Sequence, residues 1–408
     1  MKYRILIISA AYPPSPGGVA THVTNLVHGL LKQESDFFIS VLTTREQPKI
    51  YPFSEKGRLQ VWGIKEKNVP NFCGRRAPFE DPISFVMEKW HEIRADLIHA
   101  HDLDSTYIGW MLKVAFKVPL VMTVHRAPTE WKTERYKESP KDCFMEAIRI
   151  FKLANYIVVP SKASYKVLKS QGFEKKIEVI PHGINYKYLS SFSEIPGVLS
   201  QLNLATPDTI FILCPVRADE HKSPDTFIKA AEYLKRRNPD RKFVFLLTDE
   251  PTGLYSYIPG FAATLGLRVN EEIFFKKFDY RQMPTLYRRA NVCVIPSLRE
   301  SFGQTVLEAF VFYAPVVAAN AAALPEIVHH NKNGLLFNAD SSADLTKQVE
   351  KILFDQKLAD DLTKKGFGDI KKKYNAQRMI KQYVKLYKRV IREYASQKKR
   401  PLSAAFAV

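Results

Sequence analysis

The chain has 408 residues, too many for one hydrophobic core, so two domains of comparable size are expected. Hydrophobic residues make up 46% and charged residues 25%, which excludes wholesale disorder. The net charge of +19 is unevenly distributed, and the longest apolar run, residues 309–319, is too short to span a bilayer.

Short β-branched runs alternate with helical patterns along the chain, which predicts an α/β protein with parallel sheets. The predicted strands of the first half are 3–9, 37–43, 96–99, 120–124, 156–159 and 177–180. Those of the second half are 209–214, 242–247, 272–275, 292–295, 315–318 and 335–337. Residues 185–207 have no firm period and contain two prolines, so we predict domains at 1–190 and 205–380.

The start of the chain combines basic residues with a short apolar stretch, as a signal peptide does. A Pro/Gly loop follows instead of a small-residue cleavage site, so a buried first strand is favoured. The cysteines are widely scattered and form no CxxC pair, which indicates neither a zinc site nor a disulfide framework. A reducing cytoplasm is the expected location. These cysteines are Cys73, Cys143, Cys214 and Cys293.

The end of the chain is strongly basic. Residues 364–400 hold fourteen Lys or Arg against Asp369 and Glu393, a net charge of +12. Apolar residues between Ile380 and Tyr394 recur at helical spacing, which predicts a basic amphipathic helix. Such a helix could lie on an anionic membrane or remain a solvated surface of the protein.

Ligands of open parallel sheets bind at the carboxyl ends of the strands. The first such end leads into a Pro-rich loop with Gly17 and Gly18 before a helix at about 19–31. Glycines there let backbone N–H groups approach an anion or a sugar, although a flexible turn would look the same.

Two cations follow the first strand of the second half. Arg217 and Lys222 precede Ser223, a good N-cap, and Pro224, which suits a first helical position. Cations at a helix N-terminus oppose its dipole, and a bound anion reverses that effect. We interpret the pair as a diphosphate site, with two solvated surface cations as the alternative.

Two glutamates flank another predicted helix start. Glu300 follows the strand 292–295, and Glu308 lies in the apolar segment VLEAFVFYAP, where a buried charge needs a partner. Carboxylates there can accept hydrogen bonds from sugar and ribose hydroxyls, and the intervening N–H groups can bind phosphate. Capping and solvated charge are the alternatives. The intervening residues are Ser301, Phe302, Gly303, Gln304 and Thr305.

Histidines stand at two further strand ends: His99 and His101 in HAHD, and His125 in TVHRA. Together with Asp102 and Asp104 they could form a metal site, but no HExxH or other ligand spacing supports one. We expect His125 to hydrogen-bond substrate, and His99 and His101 to shape the loop or contact an acceptor.

Taken together, these motifs resemble the retaining glycosyltransferases of family 4, which have the GT-B fold. The resemblance extends over nearly the whole chain, through PPSPGG, HAHD, TVHRA, VVPSKASYKVL, IPHGIN, Arg217-x4-Lys222 and Glu300-x7-Glu308, followed by PEIV and NGLLF, in the family's order. It implies two Rossmann-like domains that face each other across a cleft, with the last helix, about 380–400, returning to the first domain.

The resemblance also implies roles for the site residues. Arg217 and Lys222 would neutralise the diphosphate of a nucleoside-diphosphate sugar, Glu300 would hold the donor sugar, and Glu308 the ribose. His125 would lie against the donor sugar, and Gly17 and Gly18 near the phosphates and acceptor. The implied reaction retains anomeric configuration and needs neither a metal nor another cofactor.

The chain departs from the family pattern at three places. Val216 and Ser223 stand where glycines usually flank the Arg and the Lys, and Thr248, Asp249, Glu250 and Pro251 replace a glycine-rich loop. These changes leave the donor's identity open. The segment 277–279 is the expected base-recognition region.

We therefore expect a glycosyltransferase that uses a nucleotide sugar, with UDP-sugars favoured, and a saccharide or lipid-linked acceptor in surface-glycan synthesis. It would work in the cytoplasm, in peripheral contact with the inner membrane leaflet. One alternative is a catalytically silent scaffold that binds sugar nucleotides. The other is a nucleic-acid-binding protein, but the sequence has no recognisable nucleic-acid reading motif.

Overall fold

The computed structural model describes residues 2–13, 17–43, 57–64, 80–126, 148–173, 176–204, 206 and 208–398. The chain forms two compact units. Unit 1 comprises Met1–Gly183 and Ala376–Val408, and unit 2 comprises Ile184–Asn375. Cys73, Cys143 and the tip of the PPSPGG loop lie outside the described residues.

Unit 1 contains a seven-stranded parallel sheet in the order β3-β2-β1-β4-β5-β6-β7. Its strands are β1 (Tyr3–Ser9), β2 (Phe37–Thr43), β3 (Leu59–Gly63), β4 (Leu97–His101), β5 (Leu120–Thr123), β6 (Tyr156–Val159) and β7 (Ile177–Val179). The edge strand β3 escaped the sequence prediction because it is only half-buried and lacks a continuous apolar run.

The helices of unit 1 cover both faces of this sheet. Those whose bounds are described are α1 (Gly18–Gln33), α2 (Glu80–Ile93), α3 (Asp102–Phe116), α4 (Lys162–Ser170) and, at the end of the chain, α13 (Ala376–Lys398). One core places Ile5, Leu97 and Val121 against α1 and α13, and the opposite core places Leu6 and Ile98 against α2 and α3. Successive strand residues thus enter opposite cores, as the period of two requires.

The basic helix α13 buries its apolar stripe inside unit 1. Ile380, Tyr383 and Tyr387 are fully buried in the core that contains α1. Two of its cations are paired at the rim, Lys388 with Glu34 at 2.9 Å and Arg389 with Glu178 at 2.5 Å. The apolar face is therefore occupied by protein, and the opposite face of the helix presents its exposed cations to solvent.

Unit 2 contains a six-stranded parallel sheet in the order β10-β9-β8-β11-β12-β13. Its strands are β8 (Ile210–Cys214), β9 (Phe243–Leu247), β10 (Ile273–Phe275), β11 (Val292–Ile295), β12 (Val316–Ala319) and β13 (Leu335–Phe337). Each lies within two residues of a predicted strand, because buried parallel strands are continuous apolar runs bounded by polar residues.

Eight helices are described in unit 2: α5 (Tyr186–Ser190), α6 (Pro224–Arg237), α7 (Ile258–Thr264), α8 (Met283–Arg289), α9 (Gln304–Val311), α10 (Leu324–Ile327), α11 (Ser342–Phe354) and α12 (Gln356–Lys372). The predicted linker is part of this unit, since Leu189, Val198 and Leu202 are buried in its core. In the described residues, none of the helices has the length and apolar character needed to cross a membrane.

Candidate functional site

The candidate site of unit 2 lies where the strand order reverses. The first strand, β8, sits between β9 and β11, so the loops after β8 and β11 diverge at the carboxyl edge of the sheet. Such a switch point is where open α/β sheets bind ligands. The first loop carries Arg217 and Lys222, and the second carries Glu300.

Backbone hydrogen bonds hold these two loops together. The His221 carbonyl accepts the N–H of Leu298 at 2.8 Å and that of Arg299 at 3.3 Å. The Lys222 ammonium then donates to the Glu300 carboxylate across 2.5 Å, with both side chains less than one-fifth exposed. Two residues 78 positions apart thus form one charged unit at the switch point.

Arg217 occupies a more open position in the same loop. Its side chain is 62% exposed, and its guanidinium contacts the Asp219 carboxylate at 3.2 Å. Asp249, from the segment that replaces a glycine-rich loop, accepts the Ala218 N–H at 2.8 Å and pairs with Lys277 at 3.5 Å. The substituted segment therefore supplies an anchor for the Arg217 loop. Sequence reasoning assigned Asp249 no such role.

Ser223 caps helix α6 differently from the prediction. It is the N-cap residue, but its hydroxyl bonds Thr226 at 2.9 Å and Asp340 at 3.3 Å and makes no side-chain cap. Its backbone is left-handed, with φ 48° and ψ 54°, and its hydroxyl bonds side chains instead of a backbone N–H of the helix. This is the conformation that glycine adopts without strain, which explains the glycine expected there.

Helix α9 begins at a glycine that the geometry requires. Gly303, its N-cap, has φ 109°, and a Cβ added there would lie 3.2 Å from a Leu324 methyl group. Without a side-chain cap, the first N–H groups of α9 are available to an external acceptor such as a phosphate oxygen. Phe302 is buried beside this turn, and Gln304 and Thr305 form the first turn.

Glu308 has the partner that its apolar surroundings require. The Tyr287 hydroxyl donates to its carboxylate at 3.0 Å, while Leu307 and Ala309 on either side are fully buried. Burial raises the pKa of Glu308 to about 7, and the Tyr287 hydrogen bond offsets only part of that shift. Its carboxyl group therefore titrates near neutral pH.

In unit 1 the predicted site residues are grouped at the corresponding edge of the sheet. Gly17 and Gly18 are exposed at the start of α1, and Gly17 has φ 116°. His101 ends β4, and His125 follows β5, its N–H donating to Asp102 at 3.2 Å. Asp102 itself has a left-handed φ of 66°.

His101 and His125 contact each other, whereas His99 is part of the interior. The ring nitrogens His101 Nδ1 and His125 Nε2 lie 3.0 Å apart. The His99 ring is fully buried and bonds the Tyr387 hydroxyl at 2.6 Å and the Thr123 hydroxyl at 2.7 Å. Both nitrogens of His99 are hydrogen-bonded inside unit 1, which favours the structural role; an acceptor contact of His99 or His101 stays a prediction.

Two further histidines join this group. His22 of α1 lies with its ring 5.0 Å from that of His125 and 4.2 Å from that of His182. Burial lowers the pKa of all five imidazoles, to about 3 for His99, so the rings are neutral at physiological pH. The sequence signal for His22 was its place on the apolar face of α1, between Ala20 and Val23.

Two family models match the chain. The model described as Glycosyltransferase Family 4 matches residues 16–188, and that of Glycosyl transferases group 1 matches residues 200–369. An uncharacterized glycosyltransferase of Methanocaldococcus jannaschii is 23% identical over 94% of this chain and 98% of its own length. A D-inositol 3-phosphate glycosyltransferase of Corynebacterium diphtheriae is 26% identical over 90% and 89%.

Solved structures with the GT-B fold are similar over nearly the whole chain. A sucrose-phosphate synthase of Thermosynechococcus elongatus superposes with a TM-score of 0.78 at 22% identity, covering 96% of this chain and all of the other. HepE of Anabaena in complex with UDP and glucose gives a TM-score of 0.73 at 17% identity, covering 94% and 99%. At these identities the structures establish the fold alone.

Proposed function

Because the chain belongs to the group 1 glycosyltransferases of family 4, we propose that it transfers a sugar from a UDP-sugar to a saccharide or lipid-linked acceptor. The Lys222–Glu300 pair at the switch point of unit 2 carries this proposal. An ion pair near a protein surface adds little stability by itself. Placed beside the N-terminus of α9, this pair suits a ligand that is anionic at one end and rich in hydroxyls at the other.

Binding of a nucleotide sugar would separate Lys222 from Glu300. A diphosphate would take Lys222 as its counter-charge, together with Arg217 and the N–H groups at the start of α9. Glu300 would then be released to accept hydrogen bonds from the donor sugar, and Glu308 those from the ribose. The UDP bound to HepE supports a uridine nucleotide as the first donor to test.

The proposed reaction needs no metal at the diphosphate, since two cationic side chains and helix N–H groups stabilise the leaving charge. The bond from the anomeric carbon to phosphate oxygen breaks, and the acceptor oxygen bonds that carbon on the same face. The acceptor's proton passes to the departing phosphate oxygen. The configuration is thereby retained, and His125 keeps the predicted role of a contact to the donor sugar.

The basic helix supports the proposed acceptor and location. Lys381, Lys385 and Arg392 are exposed at helical spacing on α13, whose apolar face is occupied within unit 1. An anionic leaflet would attract these cations without any insertion, which suits a cytoplasmic enzyme that meets lipid-linked acceptors in surface-glycan synthesis.

The test is titration of UDP and GDP into the chain in EDTA, followed by a mass-spectrometric screen of nucleotide sugars with candidate acceptors. Binding without a divalent ion and acceptor-dependent release of UDP are expected. Binding without release would identify the silent scaffold. Failure of every nucleoside diphosphate to bind would reject the proposal.

A further inference from the structure

Unit 2 has a second concave site at the amino edge of its sheet. It is a cavity of about 630 Å³ over the first residues of β8, β9 and β10. Thr209, Lys242 and Glu272 line it and immediately precede these three strands. Arg217 and Lys222 instead follow the carboxyl end of β8, which is five residues long, so roughly 16 Å of strand separates the two places. The diphosphate chemistry proposed for Arg217 and Lys222 does not account for this cavity.

The lining of the cavity carries an excess of positive charge. Five cations and three carboxylates line it, a net charge of +2. Like charges in one cavity repel each other, and an anion bound among them removes that repulsion. The surplus charge therefore favours an anionic ligand. The cations are Lys235, Arg236, Arg241, Lys242 and Arg268.

Ion pairs within the lining involve three of these cations. Glu272 accepts hydrogen bonds from Lys235 at 2.7 Å and from Arg268 at 2.9 Å. Glu232 pairs with Arg236 at 2.9 Å. A guanidinium has five N–H donors, so both arginines keep donors that these carboxylates do not use. The paired cations can therefore still bind an additional anion.

The usual reason for basic residues at this edge of a sheet explains only part of the set. Lys235 and Arg236 lie in the last turn of α6, where cations offset the helix dipole. Arg241, Lys242 and Arg268 lie outside the helices. Within the described residues, Arg241 and Lys242 are exposed and form no ion pair. Two cations thus line the cavity without a counter-charge from the protein.

We propose that this cavity binds a small phosphate monoester. The net charge of +2 balances the dianion that such a ligand carries near neutral pH. Guanidinium groups match phosphate oxygens in geometry, and the three oxygens can accept from three separate cations, whereas a carboxylate offers two.

The size of the cavity also limits the ligand. Small-molecule sites typically have volumes of about 300–1,000 Å³, a range that includes this cavity and exceeds what a bare ion needs. Pro239 and Leu265 in the lining offer an apolar surface to the body of the ligand. The ligand is therefore an organic phosphate of small-molecule size.

The experiment titrates glycerol 3-phosphate into the full-length chain, with and without UDP, and follows hydrogen exchange. Residues 232–245 and 265–273 should be protected in a saturable way, with a dissociation constant below about 1 mM. UDP should not change this constant, because the two sites lie at opposite edges of the sheet. Glycerol should give no protection, and malonate, a dianion without phosphate, should bind at least about tenfold more weakly.

Arg241→Ser and Lys242→Ser together should raise the dissociation constant at least about tenfold, since both charge-assisted hydrogen bonds are lost. Lys229→Ser with Lys347→Ser is the matched control, because it removes the same charge from exposed positions of unit 2 outside the cavity. Glu271→Gln should instead tighten binding severalfold, because it removes one carboxylate from the lining. Circular dichroism verifies that each variant is folded.

Several results would overturn the inference. They are the absence of protection at this edge up to about 10 mM glycerol 3-phosphate, protection confined to the loops around Lys222, and equal weakening by the two pairs of substitutions. Malonate that binds as tightly as glycerol 3-phosphate would refute the phosphate assignment. The proposed transferase function would survive each of these outcomes, since UDP titration in EDTA tests the opposite edge of the sheet.

Discussion

Replacement of Glu308 by Gln tests whether the buried carboxylate at the candidate ligand site lowers the free energy of unfolding of unit 2. Burial raises the pKa of Glu308 from its ordinary value to about 7, so ionising it in the fold costs about 3 kcal/mol. The folded pKa exceeds the unfolded one. The protonated carboxyl is therefore tolerated at low pH, and stability is lost as the pH rises through about 7.

The glutamine side chain introduced by this substitution cannot ionise and can still accept the Tyr287 hydrogen bond. We expect Glu308→Gln to remove the loss of stability between about pH 5 and pH 8, a gain of up to about 3 kcal/mol at the upper end. An unsatisfied amide N–H would add a penalty that does not vary with pH. The change of stability with pH is therefore the quantity to compare, rather than stability at one pH.

The assay must report unit 2 specifically. Tryptophan fluorescence cannot, because all four tryptophans are in unit 1. Hydrogen exchange of amides in β11 and α9 measures the opening free energy around Glu308 directly. Glu271→Gln is the matched control, since its side chain is 62% exposed, and it should leave the pH dependence unchanged.

The same variant separates stability from binding. If Glu308 accepts ribose hydroxyls, Glu308→Gln should bind UDP more weakly while the wild-type affinity falls below about pH 7. Equal pH dependence of stability in the wild type and the variant would refute the buried-carboxylate reasoning. A variant that unfolds across the whole range would assign Glu308 a structural role.

Four further changes have defined outcomes. Lys222→Ala should raise the dissociation constant for UDP roughly 10- to 100-fold in calorimetry, as loss of a charge-assisted hydrogen bond would, whereas the exposed Lys229→Ala should not; equal affinities would remove Lys222 from the diphosphate site. Gly303→Ala should destabilise unit 2 by roughly 1–3 kcal/mol in hydrogen exchange, because its φ is 109° and its Cβ would crowd Leu324, while Gly260→Ala, in open space, should not. Tyr387→Phe should lower the stability of unit 1 by about 1–3 kcal/mol in urea melts followed by tryptophan fluorescence, since His99 Nδ1 loses its partner; an unchanged midpoint would mean that this hydrogen bond adds nothing. Changing Lys381, Lys385 and Arg392 together to Gln should weaken sedimentation with anionic vesicles by roughly 100-fold, and the same loss of charge at Lys229, Lys347 and Lys357 should have little effect; equal losses would indicate net charge instead of the helix face.

The strands of both sheets could be predicted because buried parallel strands are apolar on both faces. The edge strand Leu59–Gly63 could not, since two of its five residues are exposed and its pattern resembles a loop. The pairing of Lys222 with Glu300 depends on strand order, which periodicity does not reveal. Only the adjacency of β8 and β11 brings their loops together.

Rules that consider only neighbouring residues also gave wrong or incomplete predictions where contacts with distant residues decide the structure. Ser223 has the composition of a side-chain cap, but Asp340, 117 residues away, takes its hydroxyl instead. His22 could have been noticed on the buried face of α1, yet its neighbours come from β4 and β5. Sequence reasoning considered the histidines of the HAHD and TVHRA motifs together and did not include His22, whose ring lies 5.0 Å from that of His125.

The return of α13 to unit 1 affects how the protein is synthesised. The core containing Ile5, Val23 and Val121 also contains Ile380, Tyr383 and Tyr387, which leave the ribosome only after residues 184–375 have been made. Throughout that interval the nascent N-terminal unit exposes an apolar surface. Unit 2, whose own ends meet where the Ile184 N–H bonds the Tyr374 carbonyl at 2.8 Å, can fold meanwhile. The first half of the polypeptide is therefore the last to mature, and it is the half that chaperones would protect.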